Sequence, residues 1–375
     1  MSGFGIRALK KVVSDEHAGN KDQYIKHIVY GENTYAVLAF LRLSKKFPGE
    51  VKFISKNSFF KKDMLQEWAC NINSVRSEEV AEALMSLTSR FEIIPKNENV
   101  LFYKDTKFHK FGGRAKSHLL REEENFFTNP SYQVNLSSMF TEEEFESMDE
   151  ILEKEQLVKI ISQIEVLTPD DLVEKSYFKL HTGENESIRC EKLYFCESPK
   201  KFLALVENKN QLDDSVYSFA AGISNEQAIS LHLKYGQEVG KEAGTYILPQ
   251  SMTHEWGSFI VDVSAYDPET QEQELTCLTF ISENDVQEED LARKIKLLKR
   301  VIERVFPELA KIDNYAQEIK FSDEYLQSGT NDTQYEELKE QHVRFLGQAA
   351  PIKHEAAAKF QYYSRGIYAI MSELQ

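Results

Sequence analysis

An apolar run, a glycine, a brief polar turn and an alanine-rich apolar stretch stand together in IVYGENTYAVLAFL, residues 28–41. Residues 24–30 read as a strand, 36–46 as a helix apolar nearly all round in its first half, and EVKFISK (50–56) as a second strand. This order predicts a βαβ unit with a parallel sheet and a right-handed crossover. Ser77 is placed to cap a helix with Glu78 and Glu79 in its first turn and Val80, Leu84, Leu87 and Phe91 on one stripe. Residues 99–120 have the pattern of a hairpin with the paired Gly112-Gly113, and 142–164 are helical in period. SIRCEKLYFCESPKKFLALV (187–206) reads as strand followed by a short helix opened near Ser198-Pro199.

Between 216 and 282, short apolar runs separated by Gly, Pro and Asp predict an antiparallel sheet. Residues 289–306 form an amphipathic helix with Leu291, Ile295, Leu298, Ile302 and Val305 on one face and Pro307 closing it. HVRFLGQAAP (342–351) is a strand entering a glycine turn, and 355–374 the last helix. The fold class is therefore α/β, α+β overall: a Rossmann-like nucleotide-binding domain built from both chain termini, with an antiparallel-sheet plus helix domain inserted. The segments assign residues 22–57, 98–206 and 340–375 to the first domain, 58–97 to a helical insertion and 207–339 to the second domain.

Composition narrows the functional classes. A chain of 375 residues with 41% hydrophobic positions can bury a sizeable core. Its net charge of −16 opposes nucleic acid and anionic membrane surfaces. No apolar run is long enough to span a bilayer, and the N-terminal residues lack a signal-peptide pattern. Four cysteines without CxxC or metal spacing suit a reduced, cytoplasmic protein, and the histidines show neither HxH nor HExxH, so no metal is expected.

Four stretches together resemble the FAD-dependent oxidoreductases of the amine oxidase, phytoene desaturase and protoporphyrinogen oxidase group, whose distant members include UDP-galactopyranose mutase and the Rab GDP-dissociation inhibitors. They are the opening βαβ, FGGRAKSH (111–118) as the GGR motif, residues 188–206 as the returning strand, and residues 343–374 as the closing strand, glycine turn and helix. The resemblance implies FAD as cofactor, with contacts at Gly31, Asn33, Ala36, Ser55, Gly112, Gly113, Arg114, Gly347 and Gln348. Catalytic residues stay unassigned.

Several of these positions depart from what FAD requires. Gly31 and Ala36 suit a dinucleotide loop, but Asn33 stands where the second glycine lets backbone meet pyrophosphate. Glu32 adds a carboxylate and Tyr35 adds bulk. Ser55 replaces the acid that bridges the ribose hydroxyls, and Gly347-Gln348 replaces glycine-aspartate. Tyr362 and Tyr363 read as packing between helix and sheet. The expectation is a non-catalytic binding or structural protein without FAD in the usual mode, its partner an unidentified protein or small ligand and its oligomeric state open. The alternatives are an active flavin oxidoreductase with shifted contacts, or a binder of another nucleotide.

Overall fold

The computed structural model describes residues 23–58, 75–87, 92–112, 120–135, 142–168, 175–183, 186–252, 257–281, 288–329 and 332–374. Strands β1 (Gln23–Tyr30) and β2 (Val51–Ser55) flank helix α1 (Thr34–Lys46) and pair in parallel, as the βαβ pattern predicts. Helix α2 (Glu78–Leu87) leads to β3 (Glu92–Asn97) and the hairpin β4 (Val100–Lys104) and β5 (Lys107–Lys110). Next come β6 (Ser131–Asn135), helix α3 (Met148–Glu155), β7 (Gln156–Val158), β8 (Gln163–Val166), β9 (Phe178–Gly183) and β10 (Glu186–Phe195). Helices α4 (Pro199–Leu205) and α5 (Asp214–Gly222) precede β11 (Ser224–Tyr235), β12 (Gly244–Leu248), β13 (Phe259–Val263) and β14 (Gln273–Ile281). Helix α6 (Glu288–Val305), β15 (Tyr315–Ser328), β16 (Val343–Phe345) and helix α7 (Tyr362–Glu373) complete the set used below.

One seven-stranded sheet runs β7-β2-β1-β10-β9-β8, with β16 also pairing in parallel with β10. Its strands alternate burial between two apolar layers, as a sheet covered on both faces requires. Val29, Phe53 and Tyr194 face α1, α2 and α7, while Ile28, Ile54 and Phe195 face α4 and α5. The second sheet, β15-β11-β14-β13-β12-β4-β5, packs Leu231, Val261 and Cys277 against Leu298, Ile302 and Phe306 on and just after α6.

Several elements differ from the sequence expectation. Hairpin β4–β5 falls in the stretch assigned to the nucleotide domain, yet β4 pairs with β12 and so belongs to the second sheet. It turns at Asp105-Thr106, both at positive φ, so the turn does not use the glycine pair. Within 142–164 helix gives way to strand at Gln156: Val158 and Ile160 keep the apolar rhythm but are more than half exposed. The last helix is split, with His354–Ala357 separate from α7: Gln361 is extended at φ −127° and ψ 152°, and Tyr362 follows at φ +47°. Helix α6 buries Leu298, Val301, Ile302 and Val305 but only half-buries Leu291 and Ile295, since Lys294 is buried and donates to the Phe280 carbonyl at 2.9 Å. Strand β15 was not expected at all. Its first seven residues are exposed, so no buried alternation marks it.

Arg76, just ahead of α2, is tied to the second sheet by a buried ion pair. Arg76 donates to Asp262 on β13 at 2.7 Å and to Thr245 on β12 at 3.1 Å, and its guanidinium lies over the Phe127 ring. Removing one partner leaves a buried charge uncompensated, a loss of about 3–5 kcal/mol. Asp262→Ala should therefore lower the stability measured by urea unfolding by that amount. The double change Arg76→Met with Asp262→Leu should recover most of it.

Candidate functional site

The C-terminal edge of the first sheet is where open parallel sheets bind ligands. Here β1 ends at Tyr30, and the chain turns through Gly31, Glu32 and Asn33 into α1. A Cβ on Gly31 would lie 2.9 Å from Ala36 Cβ and 3.1 Å from Cys196 Cβ, so the tight turn needs glycine, and the fully buried Ala36 has no room to grow.

Asn33 is the N-cap of α1. Its Oδ1 accepts from the Ala36 N–H at 3.1 Å, and its Nδ2 donates to the Cys196 carbonyl at 2.8 Å. A first-turn N–H of the helix is thereby taken by the protein itself. Glu32 reaches sideways, and its carboxylate accepts from the Lys56 N–H and from Asn57 Nδ2 just beyond β2. Ser55 is buried, donates to the Asn57 carbonyl and accepts from Gln156. Tyr35 lines the same cleft and lies across Gly366, where a Cβ would stand 2.6 Å from its ring. Its expected bulk is thus spent on helix packing.

Gly347 meets the Cys196 carbonyl, which a Cβ would approach to 3.0 Å, and Gln348 donates to the Tyr325 carbonyl at 3.0 Å. The structure thus brings Gly31, Asn33, Ala36, Gly347 and Gln348 together around Cys196, with Ser55 one strand away. Gly112 lies beyond β5 at the end of a described segment, and Gly113 and Arg114 lie outside the described residues.

Three acids that sequence reasoning passed over complete the cleft. Glu197 lies two residues beyond β10; it accepts from the Glu32 N–H and pairs with Lys201 at 3.0 Å. Its place at a parallel strand end beside Gly31 was the available signal. Glu324 accepts from the Ser198 N–H at 3.3 Å, and Asp323 is its neighbour. Both lie on β15, the strand that left no pattern. Burial first, then the Glu197 charge, push the Glu324 carboxyl up to about 7. The cavity among Glu32, Asn33, Glu197, Asp323, Glu324 and Gln348 measures about 230 Å³. Among the described residues, no group of three or more His, Cys, Asp or Glu is set to hold a metal.

In the usual dinucleotide pose a pyrophosphate would meet the first turn of α1 at Asn33, beside Glu32 and Glu197. The helix N-terminus is capped, the ribose-side position is closed by the Glu32 and Ser55 contacts, and the cleft wall is anionic. Each carboxylate about 4 Å from a phosphate charge would oppose it by roughly 4 kcal/mol at an effective dielectric near 20.

Known structures share this architecture. A putrescine oxidase variant superposes with a TM-score of 0.57 at 10% identity, covering 94% of this chain and 98% of that one. Cyclohexylamine oxidase from Brevibacterium oxydans IH-35A gives 0.57 at 10% identity, with 93% and 99% covered. An oxidoreductase from Methanosarcina mazei gives 0.55 at 10% identity, with 93% and 100% covered. No family model matches the sequence, and no curated protein matches it. The fold is the one these oxidases share, as expected from the opening βαβ, the returning strand and the closing strand and helix. Among the described residues no helix is long and apolar enough to cross a membrane.

The raised Glu324 carboxyl has a pH consequence. An unfolded chain loses this proton near 4.5 and the folded protein near 7, so between these values the folded state binds more protons. Its contribution is fully present below pH 4.5 and is lost as pH rises through 7. Urea unfolding of the wild type should therefore lose about 2–3 kcal/mol across that interval relative to Glu324→Gln.

Proposed function

We propose that this chain is a non-catalytic binding protein on the amine oxidase fold, one that does not hold FAD in the usual mode. The observation that carries the reading is the Glu32 clamp: a carboxylate from the loop that should face phosphate is bound to the far side of the cleft at Lys56 and Asn57. The capped α1 and the acids Glu197 and Glu324 support it. In this reading Gly31, Ala36 and Gly347 serve close packing, while Asn33, Ser55 and Gln348 serve the protein's own hydrogen bonds. A cytoplasmic setting and an unidentified partner or small ligand belong to the same proposal.

The rival is a flavin oxidoreductase with a shifted FAD, anchored by Gly112, Gly113 and Arg114 and the two helix termini; the likeness to putrescine oxidase and cyclohexylamine oxidase favours it. Purified protein should be colourless, and added FAD should leave its melting temperature unchanged. A yellow protein with a flavin spectrum overturns the proposal. Combining Asn33→Gly, Ser55→Glu and Gln348→Asp with Glu32→Ala should bring measurable FAD affinity. No gain from the four changes would count against the reading that these side chains displace the cofactor.

A further inference from the structure

Strand β15 lies at the rim of the second sheet. It pairs with β11 along one edge, and among the described residues no strand takes its other edge. The outer strands β5, β7 and β8 have four, three and four residues, against fourteen in β15. Short edges are an ordinary protection against pairing with another chain. β15 lacks the other protections too. Its ladder with β11 runs unbroken from Tyr315 to Ser322 without proline or glycine, and the register shift falls beyond it.

The free edge is exposed from residue 315 to 321, and its two faces differ. Tyr315 and Ile319 stand beside Tyr235 and Leu231, which pack towards α6, and Phe321 follows on the same face. These three side chains are 46%, 42% and 48% exposed, an apolar row that the chain itself leaves half covered. From the opposite face project Glu318 and Lys320, paired at 3.4 Å and both more than half exposed.

We propose that β15 pairs antiparallel with β15 of a second copy of this chain, about a two-fold axis through Ile319 normal to the sheet. The two seven-stranded sheets then join into one. Charge selects both the partner and the register. Residues directly opposite in an antiparallel pair share a face, and like charges there repel. With the axis at Ile319, Glu318 lies opposite the partner's Lys320 and Lys320 opposite the partner's Glu318. An axis one residue earlier sets Glu318 against its own copy, and one residue later does the same to Lys320. Two residues earlier, Glu318 meets only Ala316; two later, it meets Glu324. A lone lysine guards an edge, but with Glu318 two residues away this edge complements itself. The same register sets Ile319 beside its copy and brings the two apolar rows together. Such a contact is isologous and closes at two copies. The net charge of −16 opposes self-association, but at physiological salt charges beyond about 8 Å are screened, so the contacts at the edge decide. The proposal stands whatever the dinucleotide cleft holds.

Sedimentation of the full chain over a dilution series should show a reversible dimer. Lys320→Glu and Glu318→Lys each turn both cross-strand pairs repulsive, and each should raise the dissociation constant about tenfold. Mixing the two variants should restore association as a heterodimer, one edge now negative and the other positive. The double variant, with its signs exchanged, should dimerise as the wild type does. Unchanged circular dichroism separates lost association from lost folding. Ile319→Cys in a Cys70→Ser background should form an interchain disulfide on mild oxidation, because opposed residues lie about 4.5–5.5 Å apart at Cα. The remaining cysteines are buried. Phe321→Cys should not, its copies being offset by about 13 Å along the strand. A wild type that stays monomeric overturns the proposal and leaves the edge to a strand of a different protein. A dimer that neither charge reversal weakens, or that cross-links through Phe321→Cys and not Ile319→Cys, overturns it as well.

Discussion

Three glycines govern how the first sheet closes. Gly31, Gly347 and Gly366 come from residues far apart in the chain, and each presses its backbone where a Cβ would collide with Cys196, Ala36, Tyr35 or another glycine. The helix α1, the strand β10 and the helix α7 reach their observed separation only because these positions carry hydrogen alone. Such glycines in a nucleotide-type fold are usually explained by phosphate. Here packing explains them fully, which is why a sequence can keep the loop's outline while its polar residues point elsewhere.

Around that packed centre the polar groups divide into two regions. On the α1 side, Glu32, Asn33, Ser55 and Glu197 are satisfied by backbone and neighbouring side chains, so the edge of the sheet is closed by its own contacts. On the α7 side, Gln327 and Gln348 each bury an acceptor without a hydrogen-bond partner among the described residues, and Tyr362 holds a strained backbone.

The strand-turn-helix at residues 28–46, the returning strand β10 and the closing strand β16 were legible because each couples an apolar run to a glycine or proline break. The topology was legible for the same reason. Strand β15 was not, since half of it faces solvent and its pairing with β11 is a long-range event with no local signature. Its invisibility hid Asp323, Glu324 and Gln327 with it. The destinations of Glu32 and Tyr35 were also closed to sequence reasoning: either side chain fits both an open and a folded-back orientation, and Gly366, over three hundred residues later, decides for Tyr35. The break at Tyr362 was missed because the helical period runs through it unbroken.

Strand β10 carries a consequence for how the chain acquires its shape. It takes β1 on one side, and on the other β9 along its first half and β16 along its last three residues, so the pairs Tyr30–Phe195 and Phe195–Phe345 stitch together segments about 165 and 150 residues apart. During synthesis at about 5–20 residues per second, β1 and α1 wait many seconds for β10, and the sheet stays incomplete until β16 is made. Through that interval β1 has β2 on one edge and α1 on one face, but its other edge and the face that α4 and α5 cover stay open. High contact order of this kind slows folding, and it makes chaperone capacity a determinant of the yield of native protein.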